Sequence, residues 1–350
     1  MGRVAAMIRV LLADDSAVTR EYIAFALGQV DGIAVVGAAR DGLEAVEECR
    51  RLKPDVVLMD VHMPRMDGYE AARRIMEETP APIVMMTSSL SHAEVEMGFE
   101  AVRAGALTLV AKPQGLDHPS EAESVRALAT TLRLMAEVKV IRRWPRRAGP
   151  AASPLPRPIR GRGVQLVAVG ASTGGPAAVV EILGELPATL RVPILVVQHI
   201  AKGFVSDLVE WWAGQTGLRV KLAQEGDHVQ PATVYVAPDD WQLGVTPTRR
   251  IRLTRDAAPD GFRPSACHLF ESVVAVYGAS AMGVLLTGMG RDGAAGLKRL
   301  REAGGVTVAQ DQETSVVFGM PGEAIRLGAA EYVLSPGEIA ALIKSAAIQP

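Results

Sequence analysis

The sequence predicts an α/β protein built from two doubly wound parallel-sheet domains joined by a proline- and arginine-rich linker. Three observations carry this expectation. Short β-branched runs alternate with amphipathic stretches from residue 7 to about residue 140, and the periodicity then stops between Arg142 and Gly163. It resumes at Gln165 and runs on through a chain of 350 residues, a length ample for two separate cores. Apolar strand runs alternating with helices imply parallel sheets covered on both faces.

In the first half, Ile8–Ala13, Ala34–Ala38, Val56–Met59, Ile83–Met86 and Leu107–Val110 read as strands, with helical patterns such as Leu43–Leu52 and Tyr69–Glu78 between them. In the joint, Arg142, Arg143, Arg146, Arg147 and Arg157 interleave with Pro145, Pro150, Pro154, Pro156 and Pro158. Such a segment buries too little apolar surface to repay its ordering, so it reads as a semi-extended, solvated linker. In the second half, Gln165–Val169, Ile194–Val197, Val234–Ala237 and Val284–Thr287 read as strands, with Ile251–Leu253 and Val306–Val308 as further candidates. The expected boundaries are 1–128, a helical end and linker over 129–162, and 163–350.

Composition narrows the function. A net charge of -2 predicts no attraction to nucleic acid or anionic lipid. The two cysteines, Cys49 and Cys267, supply neither a disulfide framework nor paired zinc ligands, which fits a reducing cytoplasm. The stretch from Met1 to Met7 lacks the apolar core of a signal peptide, and no apolar run is long enough to insert in a bilayer. A soluble, cytoplasmic protein is expected.

In an open parallel sheet, chemistry collects at the carboxyl ends of strands. Asp14 and Asp15 end the first strand, Asp60 the third and Thr87 the fourth, and Lys112 follows the fifth. An isolated Asp-Asp pair is usually a turn or a helix cap. Here three carboxylates would converge on one edge and repel one another unless a divalent cation sat among them; hard oxygen ligands favour Mg²⁺. A lysine and a hydroxyl nearby are suited to phosphate oxygens.

The segments Leu11-Leu-Ala-Asp-Asp15-Ser, Met59-Asp60-Val-His-Met-Pro64-Arg-Met-Asp67-Gly68, Thr87-Ser88 and Lys112-Pro113 make this half resemble the flavodoxin-like receiver domains of two-component response regulators, over roughly residues 7 to 125. The resemblance implies that Asp60 accepts a phosphoryl group from a histidine kinase. It also implies that Asp14, Asp15 and Asp60, with the backbone carbonyl of His62, hold Mg²⁺, and that Thr87 and Lys112 contact the phosphoryl oxygens. Receivers often carry an aromatic switch residue three positions before the lysine, and Leu109 stands there.

The second half offers Gly170-Ala-Ser172-Thr-Gly174-Gly175-Pro176 between a strand and a helix-like stretch, which satisfies G-x-S-x-G in the setting that exposes a nucleophilic hydroxyl. A glycine-rich loop after a strand is at least as often a phosphate cradle. A serine nucleophile needs a base and an acid to orient it. His199 ends the next strand, on the same edge, whereas His228 lies in a polar stretch and His268 in a helix-like run. Asp292 follows another strand end; Asp239 and Asp240, after Ala237-Pro238, are rival acids in a turn context. The order Ser172, His199, Asp292 disfavours an ordinary α/β-hydrolase.

Gly170 to Pro176, Gln198-His199, Arg263-Pro-Ser265, Leu286-Thr-Gly-Met289-Gly-Arg-Asp292-Gly-Ala and Val317-Phe-Gly-Met-Pro321 make this half resemble the catalytic domain of the chemotaxis protein-glutamate methylesterases, a Rossmann-like fold. The receiver-linker-esterase layout matches along the whole chain. The resemblance implies Ser172 as nucleophile, His199 as base, Asp292 as orienting acid, Met289 as a backbone oxyanion donor and Thr173 close to the nucleophile. It implies hydrolysis of glutamate methyl esters on chemoreceptors, deamidation of receptor glutamines, gating by the receiver, and no cofactor for ester hydrolysis. The chain departs from the family at Ile200-Ala201, at Cys267-His268 and near Trp241. The alternative is a phospho-switch whose second half only binds a partner.

Overall fold

The computed structural model describes residues 7–87, 98, 100–102, 105–113, 121–138, 140, 163–257 and 261–347. The chain divides into two compact units, Met1–Gly149 and Pro150–Pro350. Residues 141–162, which hold most of the expected linker, and Ser88 lie outside the described residues. Among the described residues no helix is long and apolar enough to cross a membrane.

The first unit carries β1 (Ile8–Ala13), α1 (Ala17–Gly28), β2 (Ile33–Ala39), α2 (Gly42–Leu52), β3 (Val56–Asp60), α3 (Gly68–Glu78), β4 (Ile83–Thr87), β5 (Thr108–Ala111) and α4 (Glu121–Ala136). Its strands pair in the order β2-β1-β3-β4-β5, all parallel. Every residue of β3 and β4 is buried, which is why those strands read as unbroken apolar runs. Side-chain caps start the first three helices: Ser16, Asp41 and Asp67 accept the backbone N–H of Thr19, Glu44 and Glu70. Strand limits differ from the sequence expectation by one residue at most.

The second unit runs β6 (Leu166–Ala171), α5 (Gly175–Gly184), β7 (Ile194–Gln198), α6 (Val205–Gln215), β8 (Arg219–Leu222), β9 (Thr233–Val236), β10 (Gln242–Val245), β11 (Ile251–Thr254), α7 (Ala266–Tyr277), β12 (Ala281–Leu285), α8 (Ala294–Glu302), β13 (Val306–Gln310), α9 (Met320–Arg326), β14 (Tyr332–Leu334) and α10 (Pro336–Ala346). Seven strands form a parallel sheet in the order β14-β13-β12-β6-β7-β9-β8. The strand expected at Ile251–Leu253 is present as β11, one residue longer, and pairs antiparallel with β10 outside that sheet. The strand expected at Val284–Thr287 begins three residues earlier; Leu286 and Thr287 are strand-like in type but belong to the loop beyond β12.

Strand order reverses between β1 and β3 in the first sheet and between β6 and β12 in the second. Connections leave in opposite directions there, so a crevice opens at the carboxyl ends of these strands. The expected phosphate-site carboxylates stand at the first reversal and Ser172 at the second.

Helix α7 packs closely on β6 and on the start of α8, where glycines face it. A Cβ at Gly170, Gly283, Gly293 or Gly296 would lie 3.7, 3.5, 3.3 or 3.0 Å from an atom of the buried Phe270, and one at Gly170 would meet Ala266 Cβ at 2.6 Å. The motif glycines thus serve packing as well as the loops. Phe270→Ala should cost the second unit about 3–5 kcal/mol, because the glycines around it offer no side chains to fill the void. Urea unfolding should show that unit's transition shifted and the first unit's unchanged.

Candidate functional site

At the first reversal, Asp14 is fully buried and its Oδ1 accepts the Ser16 N–H at 2.9 Å, which ties the carboxylate to the turn entering α1. Lys112 Nζ lies 2.8 Å from Asp14 Oδ2 and 2.9 Å from Asp60 Oδ2. The Lys112 backbone N–H donates to Thr87 O at 2.8 Å, so the ends of β4 and β5 are joined, with Thr87 buried beside them. One ligand oxygen from each of Asp14, Asp15 and Asp60 lies within 4.8 Å of the others. Gly68 is required where it stands, since a Cβ there would meet Asp60 O at 2.1 Å.

Burial pushes the Asp60 carboxyl up to about 6; Lys112 opposes that shift, and the charges of Asp14 and Asp15 add to it. Burial also tends to lower the Lys112 ammonium, but Asp14 and Asp60 outweigh burial and raise it above its ordinary value. Once ionised, three carboxylates facing one ammonium leave two negative charges uncompensated. That donor set, all hard oxygens, fits a divalent cation of the Mg²⁺ kind.

At the second reversal, β6 pairs with β7 so that Ala171 faces Gln198. Ser172 and His199 are therefore the next residues on two adjacent strands. The His199 N–H donates to Ala171 O at 2.8 Å and the Ser172 N–H to Thr287 O at 3.0 Å, which locks the ends of β6, β7 and β12 together. The buried Gln198 amide donates to the carbonyls of both Ser172 and His199, each at 2.8 Å. Thr287 is fixed in turn: its N–H donates to Gln310 Oε1 at 2.8 Å and its hydroxyl to Thr173 O at 2.9 Å. Gly174, in the left-handed region at φ 77°, has no room for a side chain, since Cβ would lie 2.6 Å from Val316.

Asp292 is 1% exposed, and its Oδ2 lies 3.0 Å from His199 Nε2, off the axis of a straight hydrogen bond. The carboxylate accepts four hydrogen bonds: the Ser265 hydroxyl at 2.8 Å and the N–H groups of Ala266 at 2.7 Å, Cys267 at 3.0 Å and Gly293 at 2.9 Å. Two of those amides belong to the first turn of α7. Burial tends to raise the Asp292 carboxyl, but His199 and the amides of Cys267 and Ala266 outweigh it and hold it at about 2. The His199 ring stacks on Phe262, with centroids 4.6 Å apart and planes 14° apart.

The remaining residues that the sequence singled out lie as follows. Met289 is 42% exposed in a loop anchored by Gly288, whose carbonyl accepts the N–H groups of Gly319 and Met320. A Cβ at Gly288 would come 2.6 Å from Ser172 Cβ, so only glycine leaves that face of the serine open. Asp239 accepts the Gly203 N–H and Asp240 pairs with Lys202, so neither rival acid is the partner of His199 in this structure. His228 is exposed, while His268 is half-buried on α7, where burial lowers its pKa. Sequence reasoning missed Ser265 as a donor to Asp292. Its place before an apolar helical run signals an N-cap, but nothing in that pattern points its hydroxyl at an acid.

The chain resembles known proteins over most of its length. A CheB methylesterase family model matches residues 167–343, and a response regulator receiver domain model matches residues 10–122. A protein-glutamate methylesterase/protein-glutamine glutaminase 4 of Geobacter metallireducens is 48% identical over 349 residues, 98% of this chain and 100% of its own. One from Nitrosospira multiformis is 46% identical over 341 residues, 96% of each chain. The crystal structure of the Thermotoga maritima CheB methylesterase catalytic domain, 36% identical, aligns with a TM-score of 0.50 over 52% of this chain and 98% of that one.

The raised Asp60 carboxyl carries a stability consequence. Its folded-state pKa, about 6, lies above the ordinary 3.8, so the folded state holds the proton more tightly. Stability is therefore lost as pH rises from about 4 through 6, and the cost is fully present above that. Asp60→Asn should stabilise the first unit in Mg²⁺-free buffer at pH 7.5 by roughly 1–3 kcal/mol, with little effect at pH 4. Urea midpoints at the two pH values check this.

Proposed function

We propose that this chain, which belongs to the CheB methylesterase family and carries a response regulator receiver domain ahead of the esterase domain, hydrolyses glutamate methyl esters on the cytoplasmic parts of chemoreceptors and is switched by phosphorylation of Asp60. Its activity is that of a protein-glutamate methylesterase/protein-glutamine glutaminase, the name carried by its full-length relatives. The observation that carries the catalytic assignment is the His199–Asp292 contact beside Ser172, with Ser172 and His199 following adjacent strands and the Asp292 carboxyl held low by His199 and by the amides of Cys267 and Ala266.

In the proposed reaction, Ser172 Oγ attacks the ester carbonyl carbon while His199 takes the hydroxyl proton. Asp292 fixes the imidazole and offsets its positive charge. The C–OCH₃ bond breaks, His199 returns the proton, and methanol leaves. Water, deprotonated by His199, then cleaves the acyl-serine bond to give the glutamate carboxylate and restore Ser172. The backbone N–H of Met289 is assigned to the oxyanion, with Thr173 beside the nucleophile. With a glutamine side chain the same attack releases ammonia. No cofactor is assigned to this half.

In the receiver, Asp60 takes the phosphoryl group from a histidine kinase. Asp14, Asp15 and Asp60 would hold Mg²⁺, which supplies charge neutralisation for phosphoryl transfer. Thr87 and Lys112 would bind the phosphoryl oxygens, and phosphorylation would uncover the Ser172 edge. The units are assigned to 1–128 and 163–350, with 129–162 as the helical end and linker. The protein would work in the cytoplasm, without nucleic acid or direct membrane insertion.

Methanol release from a methylated chemoreceptor fragment checks both halves at once. Ser172→Ala should lower the rate by about 1,000-fold or more. A small-molecule phosphodonor with Mg²⁺ should accelerate the wild-type chain and leave Asp60→Ala unchanged.

A further inference from the structure

Gln242 lies on β10, in the two-stranded hairpin outside the sheet that bears Ser172, His199 and Asp292. It is fully buried, and its amide reaches across to the segment linking β11 to α7. Nε2 donates to the carbonyls of Asp256 at 3.2 Å and Phe262 at 2.9 Å, and Oε1 accepts the Ser265 N–H at 2.8 Å. One side chain thus ties the backbone at Asp256, just past β11, to that at Phe262 and Ser265, just ahead of α7.

That segment delivers two groups to the site. Phe262 stacks flat on the His199 ring. Ser265 donates its hydroxyl to Asp292 Oδ1. Phe262 is 44% exposed, so burial alone does little to keep it over the imidazole; the bond from Gln242 to its carbonyl is the restraint the backbone offers.

We propose that Gln242 is a positioning residue for the hydrolysis, fixing through one amide the segment that packs against the base and holds the acid. This rests on the assignment of Ser172, His199 and Asp292 made above. An apolar side chain of the same size would leave two carbonyls and one N–H without their partner. The backbone at Phe262 and Ser265 would then shift, and the two side chains would move with it. Displacements on the order of 1 Å in supporting groups can cost about 100-fold in rate. The effect falls on kcat, because nothing in the Gln242 network is assigned to substrate binding.

The test uses the full-length chain and a methylated chemoreceptor fragment, with wild type, Ser172→Ala, Gln242→Met, Phe262→Leu and the Gln242→Met/Phe262→Leu double variant. Gln242→Met should lower kcat about 10- to 100-fold with KM within about twofold, and Phe262→Leu about 3- to 10-fold. The double variant should be no more than about twofold slower than Gln242→Met, since the stack is already displaced. Unchanged kcat, a change confined to KM, or losses that multiply in the double variant would overturn the proposal. If Gln242→Met does not fold, Phe262→Leu, at a substantially exposed position, decides alone: a reduced kcat supports the proposal and a wild-type kcat refutes it. Wild-type protein without Ser172-dependent release would defeat the functional reading and this proposal with it. Wild-type release with unaltered variants would defeat the positioning role only.

Discussion

A carboxylate that is almost entirely removed from water stays charged only where donors surround it, and the arrangement of the second unit follows from meeting that demand at Asp292. Three backbone N–H groups and a serine hydroxyl converge on it. Two of those amides exist as free donors because α7 begins there. The helix starts close in because glycine stands at 170, 293 and 296, where a Cβ would crowd Ala266, Phe270 or Cys267. The same close approach brings the loop after β12 against the ends of β6 and β7. Packing, helix start and acid are therefore one construction.

The two units apply one topological device to opposite electrostatic ends. Each places its acids where strand order reverses. Asp292 accepts four hydrogen bonds and is held at about 2, whereas the similarly buried Asp60, which shares Lys112 with Asp14 and has two acidic neighbours, is pushed to about 6. The first is a charge held beside the His199 ring, as the orienting role proposed for it requires. The second is left under-compensated, as the proposed cation and phosphoryl site requires. The difference lies in the partners: His199 and then the backbone amides of Cys267 and Ala266 hold the Asp292 carboxyl down, whereas Lys112 does not offset burial and the charges of Asp14 and Asp15 at Asp60.

Much of this was legible in the sequence because strand ends are legible. Apolar runs locate β1, β3, β4, β6 and β7, so the sequence places Asp14, Asp60, Thr87, Ser172 and His199 on two sheet edges. Asp292 was chosen over Asp239 and Asp240 on loop context and on family resemblance, and the structure sets it against His199 while the other two bind Gly203 and Lys202. What stayed hidden was held by tertiary contact alone. The edge strands β8 and β14 are short and mixed in polarity, and β10 shows its pairing only through β11. Among the described residues the buried glutamines are Gln198, Gln242 and Gln310, and each bridges segments far apart in sequence. A lone glutamine carries no pattern that announces such a bridge.

If the Asp292 carboxylate both orients His199 and anchors the start of α7, Asp292→Asn should disturb catalysis and stability together. An asparagine amide keeps the size but turns an NH₂ towards groups that already donate. In the full-length chain, kcat/KM should fall on the order of 1,000-fold or more, together with a lowered unfolding midpoint for the second unit. A variant with near wild-type hydrolysis, or one that loses activity with no change in stability, would contradict that dual role.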